Sequence, residues 1–541
     1  MKEVPFFCIM HLTAGKHPST AYFLVILTGL LLWLSWPHYG FNLLIFAAWV
    51  PLLIGEEKIK STPVFFFLLW CSFIIWNTGT TWWIWNSTGP GAAGAIMANS
   101  MIMCLPVLAY RFSKKYLSLP MALISLISYW VFYEFIHHNW ELSWPWLTLG
   151  NVFANKPAWI QWYSFTGVSG GSVWVLSINV LVFLSIKHSG ENLKRKWLMA
   201  SAMMGLLVPV ITGWILYPKP KNVNPDDVTT PNVVVVQPNV EPYFEKFNTD
   251  PDILTDNLIA LSKSKIDSQT RLLVWPETAI PAQAWEHEMD SIPIFKKVFS
   301  FLNSYPNIQL VTGIDSYKLW GVENPGGMSI RQMRNGLYYE AFNTAMGKSA
   351  ANGVQLYHKS KLVPGVEALP SWLGFMADIF DDFGGINGSL GRSDSAAVFS
   401  APGNPYRPAP VICYESIYSD YLTRYTNRGA NIITVITNDG WWGNTAGHHQ
   451  HMHYARLRAI ESGLWVARSA NTGISCFIDP NGHIYQPQPW DTKAAIKMSI
   501  PATESPSFYA KHFDWISRLS AISGVLLFLF SIYLKWRIKK Q

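Results

Sequence analysis

Charge is scarce in this sequence. Lys, Arg, Asp and Glu make up 14% of its 541 residues, where a soluble protein carries roughly 25%. That deficit excludes an ordinary soluble protein over the whole length. A disulfide framework is missing too. The five cysteines, Cys8, Cys71, Cys104, Cys413 and Cys476, are odd in number and irregularly spaced, and they form no zinc pattern. No cleavable signal peptide is expected, because the first apolar run leads straight into more. There is no internal repeat and no long low-complexity tract. The net charge of +7 does not point to nucleic acid, because the basic residues sit beside apolar runs rather than on one soluble face.

What is abundant is apolar. Half of the residues are hydrophobic and 27 are Trp, a composition that suits an interfacial aromatic belt. The apolar residues crowd into positions 1–217 and the last stretch. A helix crossing the bilayer core needs about 20 of them. Candidate spans are 20–36, 39–55, 62–85, 91–112, 117–137, 164–187, 197–217 and 518–536, about eight in all. Every second loop is basic: Lys58 and Lys60, then Arg111, Lys114 and Lys115, then Lys187 and 194–196, then Lys535, Arg537, Lys539 and Lys540. By the positive-inside rule both termini are expected in the cytoplasm and the segment after span seven outside the inner membrane.

From 225 to 510 the pattern changes. Short apolar runs at 233–236, 272–275, 309–312, 354–357, 410–412, 432–436 and 474–478 read as buried strands. Stretches at 252–268, 286–304, 416–428 and 448–462 read as helices. The alternation argues for a layered α/β domain. The expected organisation is a membrane domain over 1–217, an exterior catalytic domain over 225–510, and a last transmembrane helix with a cytoplasmic tail over 511–541.

Three ionisable residues directly follow strand runs: Glu277 after LLVWP, Lys359 after VQLYH and Cys413 after PVI. Ligands of layered α/β folds sit at the carboxyl ends of strands, so these groups can share one pocket. The trio suits a cysteine nucleophile. A carboxylate takes the thiol proton, and an ammonium stabilises both thiolate and oxyanion. Tyr414-Glu415-Ser416 reads as a helix start that would favour the thiolate further. Taken singly, each has an ordinary explanation: a buried small hydrophobe, a turn residue, a surface charge.

The surrounding motifs sharpen the reading. They are WPETAIP at 275–281, YHKSKLVP at 357–364 followed by Glu367, VICYES at 411–416, NDGWWG at 438–443 and RSANTG at 468–473. SWPHYGFNLLIFAAWVPLL at 35–53, SWPWLTLGN at 143–151 and QWYSFTGVSGGSVWVLSINVLV at 161–182 accompany them in the apolar part. Together they resemble the bacterial apolipoprotein N-acyltransferases of the nitrilase superfamily, over nearly the whole chain. The resemblance implies a polytopic α-helical membrane domain joined to a nitrilase-like α-β-β-α sandwich. It implies Glu277 as general base, Lys359 as oxyanion stabiliser and Cys413 as nucleophile. Glu367 and Glu415 match supporting acidic positions, and Tyr414 and Trp441 match positions near the acyl or phospholipid site. The implied reaction is ping-pong, from a phospholipid, typically phosphatidylethanolamine, through a thioester to the α-amino group of diacylglyceryl-cysteine in an apolipoprotein. No cofactor and no metal are implied, and a monomer is expected. The chain departs from the family's HLVPFGE, reading KLVPGVE, which leaves the shape of the loop beside Lys359 open. The Trp usual after the first strand is absent, with Tyr243, Phe244 and Phe247 nearby.

The segment 369–383 is a candidate lid. Trp372, Met376 and Phe380 recur there at helical spacing. His448, His449, His451 and His453 could suggest a metal, but a structural or interfacial role fits better. Glu134 would be costly in lipid and so faces either the helix bundle or the catalytic mouth. Cys413 and Cys476 are expected as free thiols. Two other functions compete. A membrane-anchored nitrilase-type amidase would use the same triad, but eight spans exceed its needs. A transporter with an exterior ligand-binding domain would need more ionisable residues inside the spans than Glu134.

Overall fold

The computed structural model describes residues 18–220, 230–368 and 389–541. The chain divides into two compact units: Met1–Trp82, Ala92–Tyr217 and Asp514–Gln541 form one, and Trp83–Gly91 with Pro218–Phe513 the other.

The first unit is helical. Among the described residues six helices are long and apolar enough to cross a membrane: Thr62–Asn86, Gly89–Ser113, Leu119–His137, Tyr163–Lys187, Asn192–Leu216 and Trp515–Lys540. Pro18–Leu34 is a shorter apolar helix of 17 residues. The remaining expected span, 39–55, is broken, so the count of eight is approximate. A 3-10 turn over Asn42–Phe46 precedes a nine-residue helix, Val50–Lys58, with a proline at its start. A break in apolar surroundings strands backbone groups that must find partners. Asn179 supplies them. Its Oδ1 accepts from Trp49 N at 2.9 Å and its Nδ2 donates to Ile45 O at 2.8 Å.

Glu134 also satisfies backbone. It is buried, and its Oε1 accepts from Trp130 Nε1 at 2.9 Å and from Leu149 N at 2.8 Å. It therefore faces its own helical unit. Two cations used to orient the chain, Arg111 and Lys114, meet the buried Glu56 carboxylate at 2.9 and 2.6 Å.

The second unit contains two sheets. Its strands are β1 (Asn232–Gln237), β2 (Thr270–Val274), β3 (Ile280–Trp285), β4 (Gln309–Gly321), β5 (Ile330–Gln332), β6 (Tyr338–Ser349), β7 (Asn352–His358), β8 (Pro408–Ile412), β9 (Ile432–Thr437), β10 (Val466–Ala470), β11 (Cys476–Ile478), β12 (Ile484–Tyr485) and β13 (Ala494–Ser499). One sheet has the order β13-β1-β2-β4-β6-β5, with β3 on β4 and β7 on β6; the other runs β12-β11-β10-β9-β8. The sheets face each other, and Ser469 Oγ on β10 donates to Val236 O on β1 at 2.7 Å. Helices Pro251–Lys263 and Pro293–Asn303 cover the first sheet, seating Leu258, Phe295, Val298 and Leu302 on Val234, Leu273 and Leu310. Helices Ser419–Thr426 and Ala446–Ser462 belong to the second sheet's side. This is the α-β-β-α sandwich.

Each expected strand run has its counterpart in this set. β6 had no clear signal, because YYEAFNTAMGKS is buried for most of its length and shows no two-residue alternation. The helix expected over 416–428 begins only at Ser419, since 413–417 winds as a tighter 3-10 turn.

Replacing Asn179 with Leu should leave Trp49 N without this partner and Ile45 O with only the longer 3.4 Å bond from Ala48 N, and cost about 1–3 kcal/mol. Thermal unfolding of the detergent-solubilised protein should show a lowered midpoint.

Candidate active site

Three chain segments deliver the ionisable residues. Glu277 lies just beyond β2, Lys359 follows β7 directly, and Cys413 follows β8 directly. Glu277 is aimed by its neighbours. Thr278 adopts φ +44°, an unusual conformation for a side-chain-bearing residue. Lys246 Nζ donates to Thr278 Oγ1 at 2.6 Å. On β4, Gly313 lies so close that an added Cβ would sit 2.3 Å from Thr278 N and 2.6 Å from Glu277 Cα.

Lys359 is 1% exposed, and its ammonium lies 2.8 Å from Glu367 Oε1 and 3.4 Å from Glu277 Oε1. Burial penalises the ammonium, but Glu367 and then Glu277 more than compensate, holding Lys359 above its ordinary value. A residue absent from the sequence reading joins the two glutamates. Asn343 Nδ2, on β6, donates to Glu277 Oε1 at 2.8 Å and to Glu367 Oε1 at 3.1 Å. Glu277 Oε2 accepts from Asn438 N at 3.0 Å. Only a polar Asn343-Thr344 pair within a mostly buried strand could have hinted at Asn343.

The loop that departs from the family motif keeps its function-bearing spacing. Gly365 takes φ +79°, and Val363 N donates to Glu367 Oε2 at 2.8 Å. The turn thereby returns Glu367 to Lys359. Lys361 sits with its ammonium 5.0 Å from the Tyr418 ring centre. Burial, with Arg424 nearby, lowers it to about 8.

Cys413 is a buried free thiol at φ +47°. Such backbone strain survives only where the surroundings enforce it. Glu415, fully buried, binds both flanks of the site. Its Oε1 accepts from Tyr357 OH at 2.6 Å and Ser360 N at 2.7 Å, and its Oε2 from Ile412 N at 2.9 Å. Beneath the cysteine lies a relay that the motifs contained but the sequence reading did not assemble. Cys413 O accepts from Ser416 Oγ at 2.8 Å and lies 3.1 Å from His451 Nε2. His451 Nε2 is 2.7 Å from Ser416 Oγ, and its Nδ1 is 2.9 Å from Asp439 Oδ1. Arg468 donates to Asp439 Oδ2 at 2.8 Å. All four side chains are fully buried. Burial alone would raise the Asp439 carboxyl, but Arg468 and His451 hold it well below the usual range. The Ser-His-Asp order imitates a hydrolase triad. Here it ends on a backbone carbonyl and braces the Cys413 turn. His451 thus has a structural place. His448, by contrast, packs at a tilt against His449 and Trp490.

Burial pushes the Cys413 thiol up, Glu277 adds to the rise, and Lys359 opposes it. The direction is opposite to the one that a helix start would give. The reason is that 413–417 is a short 3-10 turn, five residues long and deeply buried.

Tyr414 is buried and packs edge-on to Tyr418 at 5.3 Å. Trp441 packs edge-on to Tyr243, one of the aromatic residues after β1, at 5.1 Å. The stretch Trp83–Gly91, which belongs to this same unit, contributes here. Asn86 Nδ2 donates to Trp442 O at 2.8 Å, Ser87 Oγ to Trp441 O at 3.2 Å, and the buried Trp83 ring lies 4.7 Å from Trp442. The lid candidates Trp372, Met376 and Phe380 lie outside the described residues.

Comparison with known proteins follows the same division. Residues 28–181 match the model of the apolipoprotein N-acyltransferase N-terminal domain, and residues 233–505 that of carbon-nitrogen hydrolases. An apolipoprotein N-acyltransferase of Chlorobaculum tepidum is 31% identical over 521 residues, covering 94% of this chain and 96% of that protein. One from Geobacter metallireducens is 24% identical, covering 92% of each.

Because burial raises the thiol, iodoacetamide should alkylate Cys413 slowly at pH 7 and faster as pH rises past 9. Lys359→Met should slow it further at every pH, by removing the charge that opposes the rise. Peptide mapping by mass spectrometry reads Cys413 separately from Cys71.

Proposed function

The chain belongs to the apolipoprotein N-acyltransferase family, and from that premise we propose that it moves an acyl chain from a phospholipid, through a thioester on Cys413, to the α-amino group of a diacylated lipoprotein. The reading is supported above all by Glu277, Lys359 and Cys413 lying at three strand ends of one domain, in a chain whose described residues include six helices of membrane-spanning length.

In the first half-reaction Glu277 takes the Cys413 Sγ proton as sulfur attacks the ester carbonyl. The Lys359 ammonium stabilises the tetrahedral oxyanion. Collapse breaks the ester C–O bond, and Glu277 returns the proton to the departing lysophospholipid hydroxyl. In the second half the acceptor amine attacks the thioester carbonyl, the C–S bond breaks, and a proton from nitrogen reaches sulfur through Glu277. Glu367 and Asn343 hold Lys359 and Glu277 in place through both.

The donor is phosphatidylethanolamine in this reading, and the enzyme works as a monomer with its catalytic domain on the periplasmic face and both termini in the cytoplasm. Membrane anchoring suits the chemistry. Drawing an acyl chain fully into water costs roughly 0.8 kcal/mol per CH₂, which a site fed from the bilayer avoids. Segment 369–383 gates the entry of acyl chains. Trp372→Glu with Phe380→Glu should lower turnover while expression stays unchanged.

Purified protein incubated with labelled phospholipid and no acceptor should carry a hydroxylamine-sensitive label. Cys413→Ala should carry none, and Glu277→Gln and Lys359→Met should label at least about a hundredfold more slowly. Equal labelling of Cys413→Ala and the unaltered protein would refute the mechanism.

A further inference from the structure

Asp315 is a carboxylate that this mechanism does not use. It lies on β4 directly across from Asn343 on β6. Opposed residues of an antiparallel pair present their side chains on one face, and Asn343 turns its amide to Glu277 and Glu367. That face is therefore the catalytic one. Gly313, two residues earlier on β4 and on the same face, is the residue pressed against the Glu277 backbone. Asp315 is exposed, and among the described residues its carboxylate makes no hydrogen bond and no ion pair.

A second acceptor beside it is also unfilled. Asn343 is 6% exposed, its Nδ2 is committed to the two glutamates, and its Oδ1 accepts nothing among the described residues. An open carboxylate and a buried orphan oxygen on one catalytic face call for a cationic donor with several N–H groups. The acceptor substrate brings one. An α-amino group titrates near 7.7–8.0, so at neutral pH it arrives mainly as ammonium. It cannot attack until it loses one proton, and Glu277 is needed for the second, lost as the C–N bond forms.

We propose that Asp315, with Asn343 Oδ1, binds the α-ammonium of the acceptor and removes its surplus proton; the inference rests on the acyl-transfer reading above. Ammonium and Asp315 carboxylate become amine and carboxylic acid. The amine attacks the thioester, Glu277 carries the second proton to sulfur, and Asp315 later releases its proton to water. The net change is ammonium plus thioester to amide, thiol and one proton. Among the described residues, the charged and titratable groups that act on Asp315 include Lys246, Glu277, Glu367 and Tyr317, and Lys359 lies beyond the two glutamates. The protein packed about Asp315 raises its carboxyl, Lys246 opposes this, and Glu277 and Glu367 add to it, which suits a group that must accept a proton.

The test separates the half-reactions in the purified full-length protein. Labelled phosphatidylethanolamine or phosphatidylglycerol loads Cys413, and a synthetic diacylglyceryl-cysteine peptide then discharges it. In Asp315→Asn, loading from either lipid should stay within about threefold of the unaltered rate, which also reports an intact fold. Discharge should slow at least about 30-fold, with a raised KM for the peptide. The deficit should shrink from pH 7 to pH 9, as the peptide arrives already neutral, and Asp315→Glu should recover part of the rate. Unchanged discharge, or equal slowing of both steps, overturns the proposal. Slower loading from phosphatidylethanolamine alone would assign the site to the donor's headgroup amine and overturn it as well. Failure of the unaltered protein to load would instead remove the acyl-transfer reading.

Discussion

A single buried ammonium organises the catalytic unit. Lys359 lies almost wholly out of water between Glu367 and Glu277. Removing one partner of a buried charge pair typically costs about 3–5 kcal/mol, so the chain is shaped to keep both. The Lys361–Glu367 loop turns at Gly365 to bring one carboxylate back. Gly313 and the strained Thr278 aim the other. Asn343 crosses from β6 to join the two. The charge that would stabilise an oxyanion is thus fixed before any substrate arrives, as preorganised electrostatic catalysis requires.

Cys413 depends on a different kind of constraint. Cys413 occupies a backbone conformation that costs energy, and buried polar side chains hold it there. Glu415 ties the strand before it to the loop after Lys359. The Ser416, His451, Asp439 and Arg468 relay grips its carbonyl from below. Buried polar networks of this sort rigidify a site, and the low local dielectric makes each missing partner expensive. The helical unit follows the same rule in apolar surroundings. Asn179 and Glu134 each answer backbone groups that a broken helix and a 3-10 stretch leave open.

Much of this was legible in the sequence. Span lengths followed from apolar run lengths, and strand ends from runs such as LLVWP, VQLYH and PVI, because burial on both faces demands continuous hydrophobicity. The glutamate, lysine and cysteine were found because they interrupt that continuity at its end. Asn343 escaped notice because it lies within a long strand with no alternation. The helix start read at Tyr414-Glu415-Ser416 proved to be a 3-10 turn, with the helix itself beginning at Ser419, and burial there raises the thiol instead of lowering it. The broken second span was read as continuous because hydropathy does not register a kink whose polar partner lies more than a hundred residues away.

By itself the sequence determined the membrane character, the layered catalytic domain and the three reactive residue types. These depend on local composition and period, which one stretch of chain carries alone. Only the tertiary structure decided the rest: which carboxylates flank Lys359, what braces Cys413, and that Asp315 shares a sheet face with Asn343. Those facts depend on strand register and loop closure between distant segments, and no local pattern encodes them.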